Sequence, residues 1–158
     1  MSVNPVPEGF HTVTPHLTLE GAAKAIDFYQ SAFGAKEIMR APDPSGHKIW
    51  HATLQIGNSM IFVNDVFPEM GPDSKQSESS VWLYVSDVDT WFKRAVDAGA
   101  TPTVPPTDMF WGDRMALLVD PFGQKWTLAS HIKDMTPEEM KKAQEDAIAQ
   151  MKQGHCPS

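Results

Sequence analysis

At 158 residues, with 41% hydrophobic side chains, 21% charged and a net charge of −7, the chain has the make-up of one globular domain or two small modules sharing a core. The acid excess, with no stripe of Lys and Arg, argues against a nucleic-acid backbone as partner. Cys156, the single cysteine, excludes a disulfide framework and a thiolate zinc site. Residues 1–10 lack the pattern of a signal peptide, and no run of about 18 apolar residues is present, so a reducing cytoplasm away from membranes is the expected setting.

In chain order, a strand-like stretch at 12–19 leads into a helical one at 21–33 that Gly34 closes. Strand-like stretches follow at 36–41, 48–56 and 59–64. After a linker over 67–79 the order repeats: a strand at 80–85, a helix at 88–98 capped by Ser86 or Asp87 and closed by Gly99, then strands at 101–104, 114–119 and 124–130. The helix-ending glycines Gly34 and Gly99 lie 65 residues apart, and Gly57 and Gly123 lie 66 apart. This spacing predicts two βαβββ modules, at about 10–66 and 80–131. A final helix is expected at about 137–152, with Thr136, Pro137 and Glu139 forming a capping box that carries proline at its first position. Its stripe of Met140, Ala143, Ala147, Ile148 and Met151 suits packing on the core or on a second subunit.

Alternation assigns the strand faces. Thr12, Thr14, His16 and Thr18 share one side of the first strand, with Val13, Leu17 and Leu19 on the other. In 48–56, Ile49, His51, Thr53 and Gln55 oppose Trp50, Ala52, Leu54 and Ile56. The helices cover the apolar sides through Ile26, Phe28, Tyr29 and Phe33, and through Trp91, Phe92, Ala95 and Val96. The polar sides are left to line a concave surface, the usual place for a small ligand.

The segments "AIDFYQSAFGA", "HATLQIGNSMIFVND", "DMFWGDRMALLVDPFGQKWTLASHI" and "TPEEM", in that order over roughly 10–142, resemble the vicinal oxygen chelate superfamily. More narrowly, "FWGDR…DPFG" followed by a capped helix is similar to its PhnB-like glyoxalase/bleomycin-resistance branch. The resemblance implies an α+β fold in which the paired modules form a cupped, mixed eight-stranded sheet, with the C-terminal helix added, in a homodimer. It also implies a divalent metal held by one first-strand and one last-strand residue of each module. Those positions fall on Thr14, Ile61, Ser80 and Thr127, none of which is a strong ligand, so no metal of this type is expected. A register shift of two would instead bring in His16 as a ligand.

His16 and His51 stand on the predicted polar faces, as pocket residues or as the start of a relocated metal site. His131 shares the parity of Thr127, while His11, His47 and His155 fall in loops or tails. Phe110-Trp111-Gly112-Asp113-Arg114 marks the rim of the cup. Trp111 there suits an apolar wall, and Arg114, oriented by Asp113, suits an anionic group; the alternative is a packing clasp that fixes the loop. The function expected is binding of a small organic molecule by Thr14, His16, His51, Trp82, Trp111, Arg114 and Thr127, with Tyr84, Met115 and Leu117 adding apolar wall. A metal-dependent lyase, isomerase or dioxygenase, and a non-catalytic dimeric interaction protein, are the alternatives.

Overall fold

The computed structural model describes residues 3–72 and 74–154; His155 and Cys156 lie outside them. The elements run β1 (His16–Leu19), α1 (Ala22–Phe33), β2 (Lys36–Pro42), β3 (Ile49–Ile56), β4 (Ser59–Asp65), a 3-10 turn (Pro68–Met70), β5 (Ser80–Tyr84), α2 (Val88–Ala98), β6 (Thr101–Asp108), β7 (Asp113–Val119), β8 (Lys125–His131) and α3 (Pro137–Lys152). This is an α+β fold of two βαβββ modules with a C-terminal helix. The strands form two four-stranded sheets, ordered β1-β4-β3-β2 and β5-β8-β7-β6, and among the described residues no strand of one sheet pairs with the other. In each sheet the first and last strands of the module run parallel and the other pairs are antiparallel.

Local chemistry explains the helix ends. Gly34 and Gly99 close α1 and α2 at φ 65° and 119°, values that side-chain-bearing residues rarely adopt. Asp87, rather than Ser86, caps α2 by accepting the amides of Asp89 and Thr90, and the capping box of α3 is complete. The N-terminus of α1 has no side chain of its own to cap it. Asp65, buried at the end of β4, does the work from a distance: one carboxylate oxygen takes the amides of Gly21 and Ala22 at 2.9 Å each, the other that of Ile49 at 2.7 Å. In the second module Ser130 stands in the same place, accepting the amide of Val88 and donating to the carbonyl of Val85.

The helix-facing sides of both sheets share one core with the two helices, which pack on each other. Arg94 of α2 donates to the carbonyls of Ser31 (2.7 Å) and Gln30 (3.3 Å), a cation at the C-terminal end of α1. The rings of α1 cross into the second module: Phe33 and Tyr29 lie 4.6 and 5.1 Å from Trp126, and Phe28 lies 6.2 Å from Phe122. At this junction the buried Asp120 accepts from the Tyr29 hydroxyl (2.8 Å), the Trp126 indole (3.0 Å) and the amides of Phe122 and Gln124. Burial, with the carboxylate beside it, raises the pKa of Tyr29 far above the usual phenol value.

Three expectations from alternation need correction. The first strand begins at His16 rather than 12, after Pro15, and Val13 is 81% exposed instead of packing with Leu17 and Leu19. An irregular register between Ala41 and Pro42, opposite the start of β3, puts Ile49 in the core and leaves Trp50 half-exposed against Phe67. β6 runs to Asp108, because an edge strand tolerates Pro102, Pro105 and Pro106.

Asp120→Ala would strand a buried hydroxyl, an indole N–H and two amides. A loss of about 3–5 kcal/mol is expected, read from urea unfolding, with Tyr29→Phe costing clearly less.

Candidate functional site

On sheet β1-β4-β3-β2, the face turned away from the helices carries His16, Thr18, His51, Thr53, Gln55, Phe62 and Asn64, as the register dictates. Phe62 sits at its centre, with the His51 ring 4.7 Å and the His16 ring 6.1 Å away. Asn64 donates through Nδ2 to the carbonyl of Asp65, so its Oδ1 is the acceptor for Thr18 (3.0 Å) and for His16 Nε2 (2.7 Å). That arrangement places the proton of neutral His16 on Nε2 and leaves Nδ1 as the base. His51 Nε2 lies 3.4 Å from the Thr53 hydroxyl.

The corresponding face of the second sheet carries Trp82, Tyr84, Asp113, Met115, Leu117, Thr127, Ala129 and His131. Asp113 organises its rim. One oxygen of this buried carboxylate accepts from the Tyr84 hydroxyl (3.0 Å) and the Trp111 indole (3.2 Å), and the other meets His131 Nδ1 at 2.8 Å. His131 Nε2 in turn lies 3.0 Å from Asp134. The Tyr84 pKa is raised, first by its hydrogen bond to Asp113; that of His131 is raised by its bonds to Asp113 and then Asp134.

The structure therefore sorts the residues of the Phe-Trp-Gly-Asp-Arg stretch into different jobs. Gly112, at φ 93°, brings its backbone against residue 133, and its carbonyl accepts the amides of both Ile132 and Lys133. Any Cβ there would strike the Lys133 carbonyl. Of the two readings that the sequence left open for Arg114, ligand contact and clasp, the geometry is that of the clasp. Its neighbours Asp113 and Met115 lie on the outward face, so Arg114 falls on the helix side, opposite Ser130. Its guanidinium grips Asp89 in the first turn of α2 with two bonds (2.7 and 2.9 Å) and Asp108 with a third (2.8 Å). Asp113 thus orients Trp111, Tyr84 and His131 instead of Arg114, and the arginine is the clasp.

A groove of about 520 Å³ follows the seam between the modules. Its walls are the 11–15 segment (His11, Val13, Pro15), the β3–β4 hairpin around Met60, strand β5 from Val81 to Val85, and Trp91 of α2. The seam exists because the free edge of β1 is taken by the linker, whose Ser77 exchanges two bonds with Thr18, before the chain turns into β5. Of the seven residues singled out in the sequence, Trp82 lines this groove and Thr14 stands between two that do. His16 and His51 belong to the first sheet's outward face, Thr127 and Trp111 to the second, and Arg114 to neither. Asp113 and Tyr84 carried no sequence signal as a pair, since strand register alone brings them together.

The places where the resemblance requires metal ligands can be matched between modules. Asp65 and Ser130 hold the same position, which pairs Thr127 with Phe62 and moves Ile61 to the helix side, where it is buried. A slip of one residue reverses the face of a strand position. With Thr14, Phe62, Ser80 and Thr127 there, the donor set has no carboxylate or imidazole and does not fit a divalent ion. Nor do His16 and His51 converge, because Phe62 stands between their strands; among the described residues no three His, Cys, Asp or Glu gather as a metal site.

A model of the Glyoxalase/Bleomycin resistance protein/Dioxygenase superfamily matches residues 10–128. The chain belongs to that superfamily. It is 37% identical over 150 residues to an uncharacterized protein of Mycobacterium bovis, covering 90% of this chain and 95% of that one. Among solved structures it is similar to TioX from Micromonospora sp. ML1 (27% identity, TM-score 0.62, 80% of this chain and 100% of that one). It is also similar to a gene product from Arabidopsis thaliana (29% identity, TM-score 0.59, 76% and 98% covered). Among the described residues of the superfamily member, no helix is long and apolar enough to cross a membrane.

Two outcomes follow from the rim. Gly112→Ala is expected to lower the melting temperature sharply, through the backbone clash and the positive φ together. His131 has a raised pKa in the folded protein, so its contribution is full below the ordinary value of 6.5 and fades as pH rises through the folded value. His131→Gln should therefore reduce the melting temperature at pH 6 more than at pH 9; an equal loss at both would show the contacts to be insensitive to charge.

Proposed function

We propose that this superfamily member, of the PhnB-like branch, binds a small organic molecule in the seam between its two modules and does so without a metal. The observation that carries the reading is the groove itself: about 520 Å³, with Met60, Val81, Leu83, Trp82 and Trp91 among its walls. Its volume falls within the range of about 300–1,000 Å³ typical of small-ligand sites, and such sites are mostly apolar with a few polar groups. Tyr84 of the groove wall is bonded to Asp113, and His16 directly follows Pro15 of the opposite wall, which supports a role for His16, His51, Trp111 and Thr127 at the periphery of the bound molecule. The mismatched donor set at the superfamily's ligand positions supports binding over metal-assisted turnover.

A homodimer accompanies this reading. Ile38 and Met39 on the edge strand β2, and Ile148 and Met151 on α3, are exposed apolar groups of the kind that proteins normally cover. Light scattering at micromolar concentration is expected to give about twice the chain mass.

Nile red, a neutral dye that brightens in apolar surroundings, is expected to bind saturably at one per chain, with or without a chelator. Met60→Arg, which puts a charged chain into the groove wall, should weaken that binding at least about tenfold while circular dichroism reports an unchanged fold. Absence of saturable binding, or binding indifferent to Met60→Arg, would overturn the assignment.

A further inference from the structure

We infer that the ligand of this groove is an amphipathic organic cation, its apolar body in the seam and its positive end against the rings of Trp82 and Tyr84. The inference rests on the binding reading above and adds the charge. No Lys, Arg, Asp or Glu side chain lines the groove among the described residues, so the walls themselves favour an apolar body. At one margin stand the two rings, 44% and 66% exposed, with centroids 5.9 Å apart. Ring faces of this kind attract ammonium groups through the negative potential of their π-systems. Among the described residues the one cation seated over a ring is Lys48 over Phe67, so neither Trp82 nor Tyr84 has an internal cation on its face.

The surroundings carry the same sign. Tyr84 donates its hydroxyl to the buried carboxylate of Asp113, which fixes the ring and places negative charge at its hydroxyl end. Beyond Ser86 the chain continues into Asp87, the exposed cap of α2. The cationic side chains of this sheet face are Lys125, at the Ser80 end of β5, and His131, held between Asp113 and Asp134. Arg114, on the opposite face, is committed to Asp89 and Asp108. The chain as a whole, at −7, draws cations toward it.

Three probes that share a naphthylmethyl body test this by calorimetry on the whole chain: (2-naphthylmethyl)trimethylammonium, its neutral isostere 2-neopentylnaphthalene, and the anion (naphthalen-2-yl)acetate. The ammonium compound is expected to bind at least about fivefold more tightly than the neutral one, the scale of one or two cation–π contacts, with the anion weakest. Trp82→Leu should bring the ammonium-to-neutral ratio down to about one, and Tyr84→Leu should lower it, while Tyr84→Phe keeps most of it. All three variants change exposed side chains, and their melting curves confirm folding. A neutral or anionic probe that binds as tightly as the ammonium compound, or a ratio that survives both leucine variants, overturns the cation assignment and leaves the groove as a site for uncharged molecules. Failure of all three to bind overturns the binding reading, and the cation assignment with it.

Discussion

The buried carboxylate of Asp120 is the point on which the joining of the two modules depends. It lies in the β7–β8 turn, yet one of its four donors is Tyr29, on the helix of the other module. An unpaired carboxylate at that depth would cost several kcal/mol, so the turn, the Trp126 indole and α1 are constrained to arrive together. Around it Phe28, Phe33, Phe122 and Trp126 form a ring cluster that neither module completes alone. Sharing a core in this way settles how the sheets stand to each other, and therefore where the seam opens.

The same device recurs where the chain needs a junction. Asp65 starts α1 from the end of β4, and Asp113 gathers the rim of the second sheet. Each is nearly inaccessible, and each accepts at least three hydrogen bonds, which offsets the cost of burying a carboxylate. In the second module the position of Asp65 is filled by Ser130, because α2 brings its own cap in Asp87 and needs one further acceptor rather than a carboxylate. The modules are alike in topology and differ in how their helices begin.

Duplication also accounts for the site. Two sheets whose strands, among the described residues, do not pair with one another leave a seam, and its walls are whatever each module places at its margin: a hairpin with Met60 from one, the edge strand with Trp82 and Tyr84 from the other. The resemblance implies that the superfamily's metal enzymes hold their ion in the cup, through one first-strand and one last-strand residue of each module. Here the matched positions hold Thr14, Phe62, Ser80 and Thr127. Phenylalanine at the first module's last-strand position puts an aromatic ring, flanked by two histidines, where a metal ligand would be needed.

Sequence alone determined the elements and their order, since these depend on local chemistry: glycines that accept positive φ, the Thr136-Pro137-Glu139 capping box, and apolar periodicity in α1 and α2. It also established the repeat, and its motifs carried the resemblance to the superfamily. Tertiary structure decided everything that turns on a single residue of register. Ile61 was placed one position off, and that sufficed to reverse its face; Trp50 escaped its alternation because the β2 pairing beside it is irregular. The sequence could not choose between ligand contact and clasp for Arg114 because its partners, Asp89 and Asp108, lie 25 and 6 residues away and are brought within reach by the packing of α2 and the pairing of β6 with β7. The meeting of Tyr84, Trp111 and His131 on Asp113 was invisible for the same reason: side-chain direction in a strand alternates every residue, so long-range contacts emerge only when two strands are locked in register.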